Sequence, residues 1–279
     1  MAGSDTLIAE RHEDVADVTV LWREASPPAK TPDAAPVLYL HGNPTDGDDF
    51  LPFLARTGGI APDLPGFGRS DKASTFDYSI DGYATFLEGF VAHLGLERLS
   101  LVVHDWGAVG LVLARRMPAR IERLCLINPV PLFAGYRWHR VARLWRARFA
   151  GEVAMGLTNR FMMRRALREA FVDRKADADA LTERAWNRFD HGTQRAILRL
   201  YRSATPEVLE AAGRGLGKVE APALVIWGEQ DPYAGSQFAD AYADALGGPA
   251  RVEVVAGAGH WPWLERPELV ERVASFLIE

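Results

Sequence analysis

The chain has 279 residues, 48% of them hydrophobic, which is enough for a large buried core. A net charge of −5 excludes general nucleic-acid binding, which needs a positive surface to displace counterions. Cys125 is the only cysteine, so no internal disulfide can form, and no apolar run approaches the roughly 18 residues of a membrane span.

Met1 to Asp5 lack the basic start and apolar continuation of a secretory leader, so the expectation is a cytoplasmic globular protein. An early strand around Val18 to Trp22 precedes the Pro-rich loop Ser26 to Pro32 and a strand over Val37 to Leu40. Further apolar runs, each closed by turn residues, cover Leu99 to Val103, Ile121 to Ile127, Ala223 to Trp227 and Arg251 to Val255. Helical patterns lie between them, at Ile80 to Leu94, Val109 to Arg116, Phe238 to Leu246 and Pro267 to Leu277. Such alternation predicts an α/β fold whose mostly parallel sheet is covered by helices on both faces.

One stretch breaks the rhythm. From about 131 to 220 no strand pattern appears, and the residues read as helices rich in Arg and Trp. The segment holds 18 Lys+Arg against 10 Asp+Glu, a net of +8, which leaves −13 for the remainder. A helical insertion between two strands is expected to cover the carboxyl ends of the sheet, where ligands of such folds bind. The expected division is therefore a core of residues 1–130 and 221–279 with a helical cap, or lid, of 131–220.

Three elements carry chemistry, each at a predicted strand end. Val103-His104-Asp105-Trp106-Gly107 follows a strand and opens a helix, the setting of a nucleophile elbow. Alone, Asp105 would read as a helix N-cap. Asp231, in Gly228-Glu229-Gln230-Asp231-Pro232, and His260, in Gly257-Ala258-Gly259-His260-Trp261, would alone be a turn residue and a loop histidine. Their common order of nucleophile, acid and histidine makes coincidence a poor account. His41-Gly42-Asn43-Pro44 follows the Val37 strand and supplies an oxyanion element, the N–H of Asn43 pairing with that of Trp106.

These motifs span nearly the whole chain and resemble the α/β-hydrolase superfamily. Asp in place of Ser, within His-Asp-Trp-Gly, resembles the branch of epoxide hydrolases and haloalkane dehalogenases. The resemblance implies that Asp105 attacks an sp³ carbon to give an alkyl-enzyme ester, with no metal or cofactor. His260 would then activate a water that hydrolyses this ester, with Asp231 orienting His260.

Leaving groups divide the two families. An opening epoxide needs a proton donor, and Tyr201, in Leu198-Arg199-Leu200-Tyr201-Arg202, resembles the Tyr-Arg pair of epoxide-hydrolase caps, with Tyr136 as its candidate partner. A halide instead needs N–H donors, and Asn43 of His-Gly-Asn-Pro with Trp106 resembles that arrangement. The first expectation is an epoxide hydrolase making a vicinal diol; the alternative is a haloalkane dehalogenase with the same triad. A hydrophobic small-molecule substrate is expected against His41, Phe133, Trp138, Trp186, Trp261 and also Phe161. The chain is expected to act as a monomer or homodimer. The basic, aromatic run Gly135 to Arg146 reads as a cap helix with Trp138, Leu144 and Trp145 packed, or as a surface for an anionic membrane or a partner.

Overall fold

A computed structural model describes residues 7–278. Eight strands form one sheet: β1 (Ile8–Val15), β2 (Val18–Ala25), β3 (Val37–Leu40), β4 (Gly59–Pro62), β5 (Leu99–Asp105), β6 (Ile121–Pro129), β7 (Ala223–Gly228) and β8 (Ala250–Val255). Their spatial order is β1-β2-β4-β3-β5-β6-β7-β8. The first two strands pair antiparallel with each other, β2 pairs antiparallel with β4, and the remaining pairs are parallel.

The central strands are apolar on both faces because helices cover both. Leu38, Leu40, Leu101, Val103, Leu124, Leu126 and Val225 enter one core with the helices Ile80–His93, Val109–Arg116 and Gln237–Ala245. Their alternates Tyr39, Val102, Cys125, Ile127, Leu224 and Ile226 enter the other, with Leu51–Thr57 and Glu268–Ile278. The two-residue period of a strand produces this division. β1 is different. Its sequence Ile-Ala-Glu-Arg-His-Glu-Asp-Val is mostly exposed, and it is held by eight paired positions with β2. Its charge conceals it from a reading of apolar runs.

Between β6 and β7 the chain forms six α-helices: Arg140–Arg146, Ala150–Leu157, Arg160–Glu169, Lys175–Trp186, His191–Ser203 and Pro206–Gly213. Ionic contacts tie them to the loops after β3: Arg188 to Asp46 and Asp48, and Arg184 to the fully buried Asp49. Lys72 reaches Asp190 at 2.7 Å. Among the described residues no helix is long and apolar enough to cross a membrane.

Candidate active site

β5 runs directly into a short turn, Trp106–Ala108, and the helix Val109–Arg116. Asp105 at this junction has φ 47°, ψ −118°, a backbone region that side chains other than hydrogen rarely tolerate. The conformation turns its carboxylate out of the sheet towards the loop after β3. Gly42 has no side chain there, and a Cβ would strike Asp105 itself. The Asn43 N–H therefore donates to Asp105 Oδ2 at 2.8 Å, and the Trp106 N–H supports the same carboxylate. Burial raises the Asp105 pKa, against the pull of His260 and these two N–H groups.

His260 and Asp231 sit on neighbouring loops after β8 and β7. The loops approach so closely that a Cβ on Gly228 would meet the Gly259 carbonyl. His260 Nδ1 lies 2.8 Å from Asp231 Oδ2, and Nε2 lies 3.8 Å from Asp105 Oδ1. The second distance is too long for a hydrogen bond. Burial alone would depress the His260 pKa; Asp231, by charge and hydrogen bond, and Asp105 outweigh it and raise the value. Asp231 is held by Tyr233 N–H at 2.8 Å and by Asn128 Nδ2 at 2.6 Å. Asn128 Oδ1 in turn accepts from the Gly228 N–H at 3.0 Å.

Asp105, His260, Tyr136, Trp138 and Tyr201 line one cavity, together with Asn128, His139 and Tyr233. The free space between them holds no more than about a single water. The Tyr201 hydroxyl accepts from Asn43 Nδ2 at 3.3 Å. Trp106 stands edge-on to the same ring, centroids 5.0 Å apart. Its Nε1–H has no partner of full hydrogen-bond geometry, yet it lies near enough to ease the proton from Tyr201. Burial and the Asp105 charge nevertheless raise the Tyr201 pKa, so the phenol stays protonated. Tyr136 is likewise buried and protonated, its hydroxyl 3.4 Å from the Tyr233 carbonyl.

Several expected pocket residues lie elsewhere. His41 is a brace, since its Nε2 accepts from the Leu64 N–H at 2.9 Å and its Nδ1 donates to the Gly42 carbonyl at 2.8 Å. Phe133 packs on Tyr242 and Phe238, and Trp186 stacks on Phe189, both outside the cavity. Phe161 is 75% exposed. Trp261 packs edge-on behind His260, with centroids 4.7 Å apart, and supports the ring instead of lining the cavity. Of the Gly135 to Arg146 run, Trp138 is buried and Trp145 packs on Tyr201, but Leu144 points outward, 44% exposed.

Asn128, His139 and Tyr233 were not anticipated. Asn128 does stand at the carboxyl end of a strand, where such sheets bind ligands, and that position was its only signal. His139 caps the helix Arg140–Arg146 through Nδ1, 3.4 Å from the Ala142 N–H. Burial and the neighbouring His260 push its pKa down to about 4. Among the described residues no group of three His, Cys, Asp or Glu could hold a metal ion.

Residues 35–267 match the family described as alpha/beta hydrolase fold. The chain belongs to the α/β-hydrolase family. Within it, the sequence is haloalkane-dehalogenase-like. A haloalkane dehalogenase of Mycolicibacterium paratuberculosis is 30% identical over 268 residues, covering 88% of this chain and 84% of the relative. One from Mycobacterium marinum is also 30% identical, with 88% and 85% covered. The solved haloalkane dehalogenase of Bradyrhizobium elkani superposes with a TM-score of 0.75 at 27% identity, covering 97% of each chain. An epoxide hydrolase solved without ligand superposes at 0.80, over 97% of this chain and 98% of its own, but at 20% identity it speaks for the fold alone.

Proposed function

We propose that the protein is an epoxide hydrolase that adds water to a small apolar oxirane through an ester on Asp105, beneath a helical cap of residues 131–220. The observation that carries this reading is what the two side-chain N–H donors find in front of the nucleophile. Asn43 Nδ2 meets the Tyr201 hydroxyl, and the Trp106 ring faces the same phenol. The oxygen that accepts from Asn43 keeps its own proton, free to be given to an alkoxide as the ring opens. Tyr136 lines the same cavity as the second donor.

In this scheme Asp105 Oδ1 attacks an oxirane carbon, and the C–O bond breaks towards Tyr201, which supplies the proton. The ester carbonyl then sits at Oδ2, already bonded to the Asn43 N–H. His260 takes a proton from water, which attacks the Asp105 carboxyl carbon, and Asp231 balances the charge on the imidazole. The acyl C–Oδ1 bond breaks, the imidazolium proton goes to the departing diol oxygen, and the proton released as the new Asp105 carboxyl ionises returns to Tyr201, so the diol leaves with Asp105, His260 and Tyr201 restored.

Haloalkane dehalogenation is the second reading. It is supported by the relatives and by the unpaired Trp106 Nε1–H, which with Asn43 Nδ2 could bind a departing halide if Tyr201 moved aside. Parallel assays with styrene oxide and a 1-bromoalkane separate the two. Diol without bromide, reduced on the order of a hundredfold or more by Tyr201→Phe, supports the proposal. Bromide without diol, with Tyr201→Phe near wild type and Asn43→Ala impaired, would establish the second reading instead.

A further inference from the structure

The helical segment carries an outward face that neither the core nor the cavity uses. Ten large hydrophobic side chains are exposed among the described residues, and seven of them lie between Val141 and Met162. Phe149, Val153 and Leu157 are 81%, 61% and 67% exposed. At four-residue spacing they form one stripe along the helix Ala150–Leu157. The opposite side of that helix is also engaged, with Gly151 and Met155 buried, so the helix is apolar inside and out.

Phe149 adds a second observation. It sits at the junction of Arg140–Arg146 and Ala150–Leu157 with φ 64°, in the backbone region that favours glycine. The fold thus accepts a strained backbone to hold a phenyl ring in solvent. Strain kept without a packing gain points to use.

The surrounding charge names the partner. Arg137, Arg140, Arg143 and Arg148 are exposed, and their side chains make no ion pair or hydrogen bond among the described residues. Glu152, the only acid from 131 to 168, is already held by both terminal nitrogens of Arg202, at 2.6 and 2.8 Å. A second copy docked through a two-fold axis would set these four Arg against their equivalents. An anionic lipid surface would pair every one of them.

We propose that this face docks on an anionic phospholipid bilayer. Phe149, Val153 and Leu157 enter the acyl boundary, and the four free Arg reach the phosphates. The inner side of Arg140–Arg146 bears on the site: Trp145 is 5.1 Å from the Tyr201 ring, and Arg146 binds the Tyr201 carbonyl. Docking therefore sets the wall of the cavity against the phase in which apolar substrates concentrate, whichever leaving group they carry.

Co-sedimentation with phosphatidylcholine vesicles, with and without about 30 mol% phosphatidylglycerol, tests this. Wild type should bind the anionic vesicles at low salt, release as salt rises, and ignore pure phosphatidylcholine. Each Arg is worth about fivefold in partitioning, so Arg140→Glu with Arg143→Glu should cut binding by about twenty-fivefold or more. Phe149→Gly should weaken binding while raising Tm, because glycine accepts that backbone. Turnover of a water-soluble substrate should stay as in wild type for both variants. Absence of wild-type binding at low salt would overturn the proposal, as would binding unchanged in the variants. So would a Tm lowered by Phe149→Gly, which would make the ring structural. Self-association in sedimentation velocity, abolished by Phe149→Gly, would assign the face to a second copy instead.

Discussion

Asp105 combines two costs at one residue: a strained backbone at φ 47° and a carboxylate that burial drives towards its protonated form. The folded state holds that proton more tightly than the unfolded chain, whose Asp pKa is about 3.9. The group therefore favours folding at pH below its ordinary value and loses that contribution as pH rises through the raised one. Asp105→Asn should abolish turnover and raise Tm at pH 7, by roughly 2–4 °C for each kcal/mol relieved. The gain should vanish near pH 3, and differential scanning calorimetry at the two pH values checks it. His260 has the other sign for function. Its pKa lies above the usual histidine value of about 6.5, and only the neutral ring takes a proton from water. Turnover should rise with pH along an acid limb centred above that value. Asp105, Asp231 and His260 were legible in the sequence because each ends a strand and their order is diagnostic. His41 was expected in the substrate pocket, whereas both of its ring nitrogens bond backbone groups. Asn128 and His139 are residue types common in loops, and only the fold shows that they face Asp231 and the cavity.

At the scale of elements, five of the six parallel strands were readable within two residues, and the short β4 was not; β3, β5, β6 and β7 are continuous apolar runs because both of their faces are buried. β1 was not readable either, since its stability comes from backbone pairing along a charged edge. The helices between β6 and β7 were visible as helices, but their docking was not. It depends on ion pairs between residues more than a hundred positions apart in sequence. Arg184 and Asp49 form one of these, with the Asp49 carboxylate fully enclosed and the Trp261 Nε1–H as a further, distant donor at 3.4 Å. Removing the cation leaves a buried carboxylate without its counter-charge. Arg184→Met should destabilise the protein by about 3–5 kcal/mol in urea titration, with Asp49→Asn in the same chain restoring much of the loss. An unchanged midpoint would show that this pair does not anchor the helices.

Over the whole molecule, charge and chemistry are divided alike. The helical segment 131–220 is basic, at +8, and contributes Tyr136 and Tyr201; the remainder, at −13, contributes Asp105, Asp231 and His260. The His260 N–H bonds the Ala170 carbonyl at 2.9 Å, which ties the His260 loop to the helical segment. The free space among the cavity-lining side chains holds no more than about a single water. The most direct test of the account uses His260→Gln, which should still form the Asp105 ester but fail to hydrolyse it. Intact-mass analysis after incubation with styrene oxide should show the protein heavier by the whole mass of the epoxide, with the added mass mapping to the peptide containing Asp105. No adduct with the epoxide, together with an adduct from a 1-bromoalkane lacking the bromine, would contradict the epoxide reading while keeping Asp105 as nucleophile. No adduct from either would remove Asp105 from that role.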